Sequence, residues 1–177
     1  MKGSKVASRY AQALLDLAIE NQVVDAVAGD MKFFRQVCAE NRDFELMLAS
    51  PVVRADKKVA VVKAVFDQFE KLSMMFVELI AKNGREAMLP EIADAFDTLL
   101  KAHLGIIPVT LISARPLDAS VKDTILNKIQ AQAKGKLEVT EEIDESLIGG
   151  FVVRLDDKMI DASVASQLGQ LKQRLTR

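Results

Sequence analysis

The sequence predicts a mainly α-helical protein, with a six-helix bundle over residues 1–104 followed by a small α/β domain over residues 105–177. Three observations carry this. Half of the 177 residues are hydrophobic and 28% are charged, a balance that supports a packed core and excludes a disordered chain. Through the first hundred residues apolar side chains recur every three or four positions, the period of helices with a buried face. At Gly105 the texture changes to β-branched runs and alternating patterns, which read as strands.

The first helix is expected over 6–20, where Val6, Tyr10, Ala13, Leu14, Leu17 and Ala18 hold the helical spacing. A second covers about 24–39. A short third covers 43–49 and is stopped by Ser50-Pro51, because proline lacks the amide donor and moves its predecessor out of the helical region. A fourth spans about 55–69. The fifth covers 72–82 and ends at Asn83-Gly84, a pair suited to a left-handed cap. The sixth starts near Leu89-Pro90, since proline is tolerated in a first turn, and ends at His103-Leu104-Gly105.

Residues 106–113 contain Ile106, Ile107, Val109, Thr110 and Ile112 and read as a strand. Ala114-Arg115-Pro116 turns the chain, and Asp118 is a suitable N-cap for a helix carrying Val121, Ile125 and Ile129. Residues 137–143 set Leu137, Val139, Glu141 and Ile143 against Glu138, Thr140 and Glu142, a half-buried strand. Segments 151–155 and 158–160 flank Asp156-Asp157 as a tight hairpin. A last helix over 163–175 puts Val164, Leu168, Leu171 and Leu175 on one narrow stripe that can lie on the sheet.

Composition removes most chemistry. Lys and Arg number 24 against 25 Asp and Glu, a net charge of −1, so no overall basic character favours nucleic acid. Cys38 is the sole cysteine and His103 the sole histidine, which rules out a disulfide framework and multi-cysteine zinc sites. Without Trp and with Tyr10 as the one tyrosine, base-stacking platforms are not expected. Gly149-Gly150 lacks the downstream Gly-Lys-Ser/Thr of a phosphate loop and reads as backbone needing positive φ. Glu141, Glu142, Asp144 and Glu145 lack the spacing of a calcium loop. Cys38 reads as a core filler. No catalytic residue, metal site or cofactor is expected. Apolar runs such as Val59-Ala60-Val61-Val62 fall far short of the ~20 residues that cross a bilayer, and Met1-Lys2-Gly3-Ser4-Lys5 leads directly into a helix. The expected location is the cytosol or a cytosolic membrane face.

The helix wheels carry more information. The sixth helix confines Leu89, Ile92, Phe96, Leu99, Leu100 and Leu104 to roughly 140° of arc, as one core requires. The first and fifth spread their apolar residues over roughly 240° and 260°. Either both helices run through the centre of the bundle, or each keeps a second apolar face for a partner. Two such helices side by side would leave a groove suited to an amphipathic helix of another chain, and adjacent Met74-Met75 would repack easily there.

Several motifs occur together in order. Ala7-Ser8-Arg9-Tyr10-Ala11-Gln12-Ala13-Leu14 opens the first helix, Ser50-Pro51 follows the third, and Asn83-Gly84-Arg85 caps the fifth, with Leu89-Pro90 after it. Ser113-Ala114-Arg115-Pro116-Leu117 ends the first strand. Leu147-Ile148-Gly149-Gly150-Phe151 comes next, and then Arg154, Asp157, Ile160, Asp161 and Ser163 in fixed spacing. Over its whole length the chain resembles the delta subunit of F-type ATP synthase, the relative of the mitochondrial oligomycin-sensitivity-conferring protein. Asp156 stands where that family commonly has glycine.

The resemblance implies a stator without chemistry of its own. The N-terminal bundle would sit on the F1 head and grip N-terminal helices of alpha subunits between its first and fifth helices. The C-terminal domain would bind the b subunits of the peripheral stalk, so that rotor torque does not turn the head during proton-coupled synthesis. The chain would then be a peripheral protein on the cytoplasmic face of a bacterial cell membrane, reaching the membrane only through partners and binding no nucleic acid. The groove is expected at Tyr10, Ala11, Leu14 and Ala18 of the first helix and Met74, Val77, Ile80 and Ala81 of the fifth. Asn83, Gly84, Arg85, Gly149, Gly150, Asp157 and Asp161 are expected as structural motif residues. The competing reading is a free-standing helical adaptor or regulator of another assembly.

Overall fold

The computed structural model describes residues 4–116, 118–132, 135–155 and 158–175. Among these, six α-helices precede the first strand: α1 (Lys5–Glu20), α2 (Val24–Glu40), α3 (Arg42–Ala49), α4 (Ala55–Val65), α5 (Lys71–Lys82) and α6 (Leu89–His103), with a short 3-10 turn, Glu86–Met88, ahead of α6. Then come β1 (Ile106–Ser113), α7 (Ala119–Gln132), β2 (Lys136–Ile143), β3 (Phe151–Leu155), β4 (Lys158–Asp161) and α8 (Val164–Leu175). The protein is thus mostly helical with a small four-stranded sheet.

The chain divides into two compact units, Met1–Leu100 and Lys101–Arg177. The break falls inside α6, a few residues ahead of the expected 104/105 boundary, and Lys101 in the last turn of that helix pairs with Glu138 of β2 at 2.5 Å. In the first unit one apolar core draws on every helix. Leu14, Phe34, Leu48, Val62, Ile80 and Phe96 are each at most 2% exposed. Its centre is aromatic: Phe66 stacks on Phe34 at 5.4 Å and on Phe69 at 4.6 Å.

Phe66 explains why α4 ends at Val65 rather than at the expected Phe69. Phe66 leaves helical geometry, and the Phe69 amide turns back to its carbonyl at 3.1 Å. The turn brings in the start of α5, where the Glu70 amide donates to the Asp30 carboxylate of α2 at 2.9 Å. Beyond α3, buried Lys58 donates its ammonium to the Leu48 carbonyl at 2.7 Å. It thereby satisfies one of the carbonyls that a helix end leaves open.

In the second unit the strand order is β2-β1-β3-β4. β1 and β2 run parallel, joined through α7 as such a pair requires, with Ile106 opposite Lys136 and Ser113 opposite Ile143. β3 is antiparallel to both β1 and β4. Ile125 and Ile129 of α7 pack on Val109, Leu111 and Val153. Leu137 and Val139 of β2 join them, whereas Ile143 at the strand end is 60% exposed. The described members of the α8 stripe are not enclosed against the sheet as expected. Val164 and Leu168 are 38% and 55% exposed, and the helix is tied to the 149–151 turn at its start, where the Val164 amide donates to the Gly149 carbonyl at 3.0 Å. Asp156 and Asp157, and the side chains of Leu171 and Leu175, lie outside the described residues.

Candidate partner-binding surfaces

Helices α1 and α5 each split their wide apolar arc into a buried half and an exposed flank. The buried half of α1 is Ala7, Ala11, Leu14, Leu15 and Ala18, and that of α5 is Ser73, Phe76, Val77, Ile80 and Ala81. This corrects the expected groove. Ala11, Leu14 and Ala18 are inaccessible, as are Val77, Ile80 and Ala81, all being at most 4% exposed. Their small and branched side chains sit at the centre of each wheel's apolar arc, so the core claims them. Tyr10 and Met74 remain partly exposed.

The accessible apolar residues are at the edges of the arcs. On α1, Tyr10, Ala13 and Leu17 follow one another at three- and four-residue steps, one line along the helix, and Leu17 is 44% exposed. On α5, Leu72, Met75 and Leu79 do the same, with Met75 at 57% and Leu79 at 51%. The wheels held this signal. The positions about a third of a turn away from the centre of the buried arc, rather than those inside it, are the ones left exposed.

Tyr10 joins the two flanks. Its ring meets Phe76 of α5 edge-on at 6.4 Å. Its hydroxyl accepts from Arg85 Nη1 at 3.1 Å and from Asn83 Nδ2 at 3.4 Å. The Arg85 guanidinium also stands 5.6 Å from the ring centroid, a favourable placement of a cation by an aromatic face. Arg85 reaches Tyr10 because of the cap on α5. Gly84 takes φ +65° and its amide bonds the Ala81 carbonyl, while the Arg85 amide bonds the Ile80 carbonyl. These two bonds form a Schellman motif, which needs a residue at ease with positive φ. The motifs that the sequence placed far apart, around Tyr10 and at 83–85, are one cluster in space.

In the second unit Gly150 takes φ +77°, and a Cβ there would lie 2.4 Å from the Ala162 carbonyl oxygen. Gly149 does not share the positive φ. That falls instead on Ile148, at φ +63° and 74% exposed, a strained position for a β-branched side chain. The Asp161 carboxylate accepts from the Ser163 amide at 2.9 Å and Ser163 Oγ from the Ser166 amide at 3.2 Å, which starts α8. The Ser163 amide bond holds the Asp161 carboxyl below its usual range, with further help from the Ser163 hydroxyl. A second apolar surface is a groove of about 480 Å³ between α7 and the sheet, lined by Val121, Ile125, Ile129, Phe151, Val153 and Ile160.

Burial pushes the Cys38 thiol up to about 11, with Glu45 and Asp94 adding to it, the opposite of an activated nucleophile. Among the described residues no three of His, Cys, Asp and Glu gather as metal ligands. Among them too, no helix is long and apolar enough to cross a membrane.

Residues 6–175 match the family described as ATP synthase delta (OSCP) subunit. The chain belongs to that family. It is therefore a subunit of an F-type ATP synthase and part of its peripheral stalk, the stator. Among curated relatives of the delta family, the chain is 35% identical over 177 residues to the ATP synthase subunit delta of Cytophaga hutchinsonii, covering 99% of this chain and 97% of that one. It is 38% identical over 179 aligned positions to the subunit delta of Phenylobacterium zucineum, at 99% and 97% coverage. A solved structure of the Toxoplasma gondii mitochondrial ATP synthase hexamer contains a similar chain, with a TM-score of 0.77, 26% identity and coverage of 98% and 99%.

Proposed function

We propose that the chain is a non-catalytic coupling subunit whose N-terminal six-helix bundle holds the F1 head and whose C-terminal α/β domain holds the b subunits of the stalk. The observation that supports it, beyond family membership, is the pair of exposed apolar flanks on α1 and α5, joined at Tyr10. Exposed apolar residues at three- and four-residue steps suit an amphipathic helix, and the N-terminal helices of alpha subunits are the occupant. The groove residues of this reading are Tyr10, Ala13 and Leu17 with Leu72, Met75 and Leu79. Met74 sits at its border.

The mechanical role follows from geometry of attachment rather than chemistry. A head held at one end and a stalk held at the other oppose rotor torque without a moving part. The chain reaches the membrane, in this reading the cytoplasmic face of a bacterial cell membrane, only through its partners. The decisive experiment replaces the chain with residues 1–104 in membranes. ATP hydrolysis by the head should persist while ATP-driven proton pumping and proton-driven synthesis fall steeply. Normal pumping with only the shortened chain would overturn the assignment of the C-terminal domain to the stalk. Absence of alpha and beta subunits from material purified with the full chain would favour an adaptor of another assembly.

A further inference from the structure

The Tyr10 cluster holds more hydrogen-bond donors than acceptors. The Tyr10 hydroxyl oxygen accepts from both Arg85 Nη1 and Asn83 Nδ2, which leaves its own O–H proton to give. Among the described residues no group receives that proton, and no carboxylate pairs with Arg85. The guanidinium, which has about five N–H bonds, spends one nitrogen on Tyr10. The carboxylates of α1 and α5 are engaged elsewhere or distant. Asp16 accepts from Gln12 at 2.7 Å and Glu78 pairs with Lys63 at 2.5 Å. Glu20 ends α1, about 15 Å of helix beyond Tyr10. Lys82, in the last turn of α5, adds another exposed cation. The Arg85 side chain is also held in place, by the Gly84 cap at its base and by the Tyr10 hydroxyl and ring at its tip. The ordering cost that weakens a surface ion pair is thus reduced before a partner arrives. The cluster continues both flanks, since Tyr10 begins the α1 line and Asn83 follows Leu79 by one turn on the α5 line.

We propose that Tyr10 and Arg85 form a carboxylate site at the end of the groove, and that the docked helix carries an Asp or Glu received there by the Tyr10 O–H and the Arg85 guanidinium. The donor excess selects this occupant. A charged acceptor makes short, strong bonds to such a cluster. A lysine or arginine at the same place would meet like charge, and an apolar side chain would cover Tyr10 and Arg85 without giving them an acceptor. The inference rests on the reading that α1 and α5 hold an alpha N-terminal helix, and it names the contact that sets that helix's register along the flanks.

The test uses the full chain and a synthetic peptide of the alpha N-terminal helix, with each Asp or Glu of the peptide replaced in turn by Asn or Gln. One such replacement should weaken binding about tenfold, and Arg85→Gln should weaken it by a similar factor. Together the two should weaken it little more than either alone, the non-additivity of groups in contact. Binding lost in Arg85→Glu should return with a peptide carrying Lys in place of that acid, a result that misfolding cannot produce. Tyr10→Phe, which keeps the ring against Phe76, should weaken the acidic peptide and leave its amide version nearly unchanged. High salt should shrink the preference for the acidic peptide. Full additivity of the Arg85 and peptide changes would overturn the carboxylate site, as would tight binding of an alpha peptide that has no acid. The outcomes separate the two readings. If Met75→Glu removes binding while Arg85→Gln leaves every peptide bound as before, the groove stands and the carboxylate site falls. If the unaltered chain binds no alpha peptide, both fall.

Discussion

Leu17→Lys and Met75→Glu test the groove with substitutions that the fold tolerates. Leu17 is 44% and Met75 57% exposed, so neither supports the core as its buried neighbours do. Lysine in the last turns of α1 also suits the helix dipole. Complete burial of such a side chain contributes ~1.5–3 kcal/mol, so covering the exposed half contributes ~1 kcal/mol. Placing a charge there adds ~1–3 kcal/mol for its unpaired burial under a docked helix. The sum, ~2–4 kcal/mol, is a ~30- to ~1,000-fold loss of affinity for a peptide of the alpha N-terminus. The two substitutions carry opposite charges, so a loss in both reports apolar burial rather than attraction or repulsion. Fluorescence anisotropy with the labelled peptide gives the affinity, and far-UV circular dichroism checks the fold. Ile80→Asp, at a residue with no exposed surface, should unfold the helical unit instead. Undiminished affinity in both Leu17→Lys and Met75→Glu, with intact helices, would refute the placement of the groove on these flanks.

Gly84 and Gly150 form a matched pair. Both have positive φ, but a Cβ at Gly84 meets nothing within 4 Å whereas one at Gly150 meets backbone. Gly84→Ala should cost ~1 kcal/mol and Gly150→Ala ~1–3 kcal/mol more, read as the difference in urea-unfolding free energies. Ser73 Oγ is buried without a hydrogen-bond partner, so Ser73→Ala should stabilise by ~1 kcal/mol, visible as a raised melting temperature. Gln22 takes φ +58° in a Schellman cap on α1, its amide on the Ile19 carbonyl and that of Val23 on the Ala18 carbonyl. Gln22→Gly should stabilise by up to ~1 kcal/mol in the same melt. The Cys38 thiol, raised to about 11 from a model-peptide value of 9.0, should react with iodoacetamide at pH 8 far more slowly when folded than in urea. Since the unfolded thiol loses its proton first as pH rises, its contribution to stability is intact below pH 9 and is lost between 9 and 11.

The sequence by itself determined the elements and their order. Apolar spacing, Pro51, Asn83-Gly84 and the β-branched run at 106–113 are local signals read within a few residues of where they act. Among the described residues they located the eight α-helices and four strands to within a few residues except at the end of α4. Charge and cysteine counts likewise narrowed function without any geometry, and the ordered motifs pointed to the family. What only the tertiary structure decided is which half of an apolar arc is core. A wheel shows that α1 and α5 are apolar nearly all round, but neighbours from other helices determine that Ile80 and Leu14 are enclosed while Met75 and Leu17 are not. The same holds for Tyr10, whose hydroxyl partners lie more than seventy residues away on the α5 cap, and for Ile148, whose positive φ comes from the turn rather than from its own preference. Burial and long-range hydrogen bonds belong to pairs of segments, and a single segment's pattern cannot contain them.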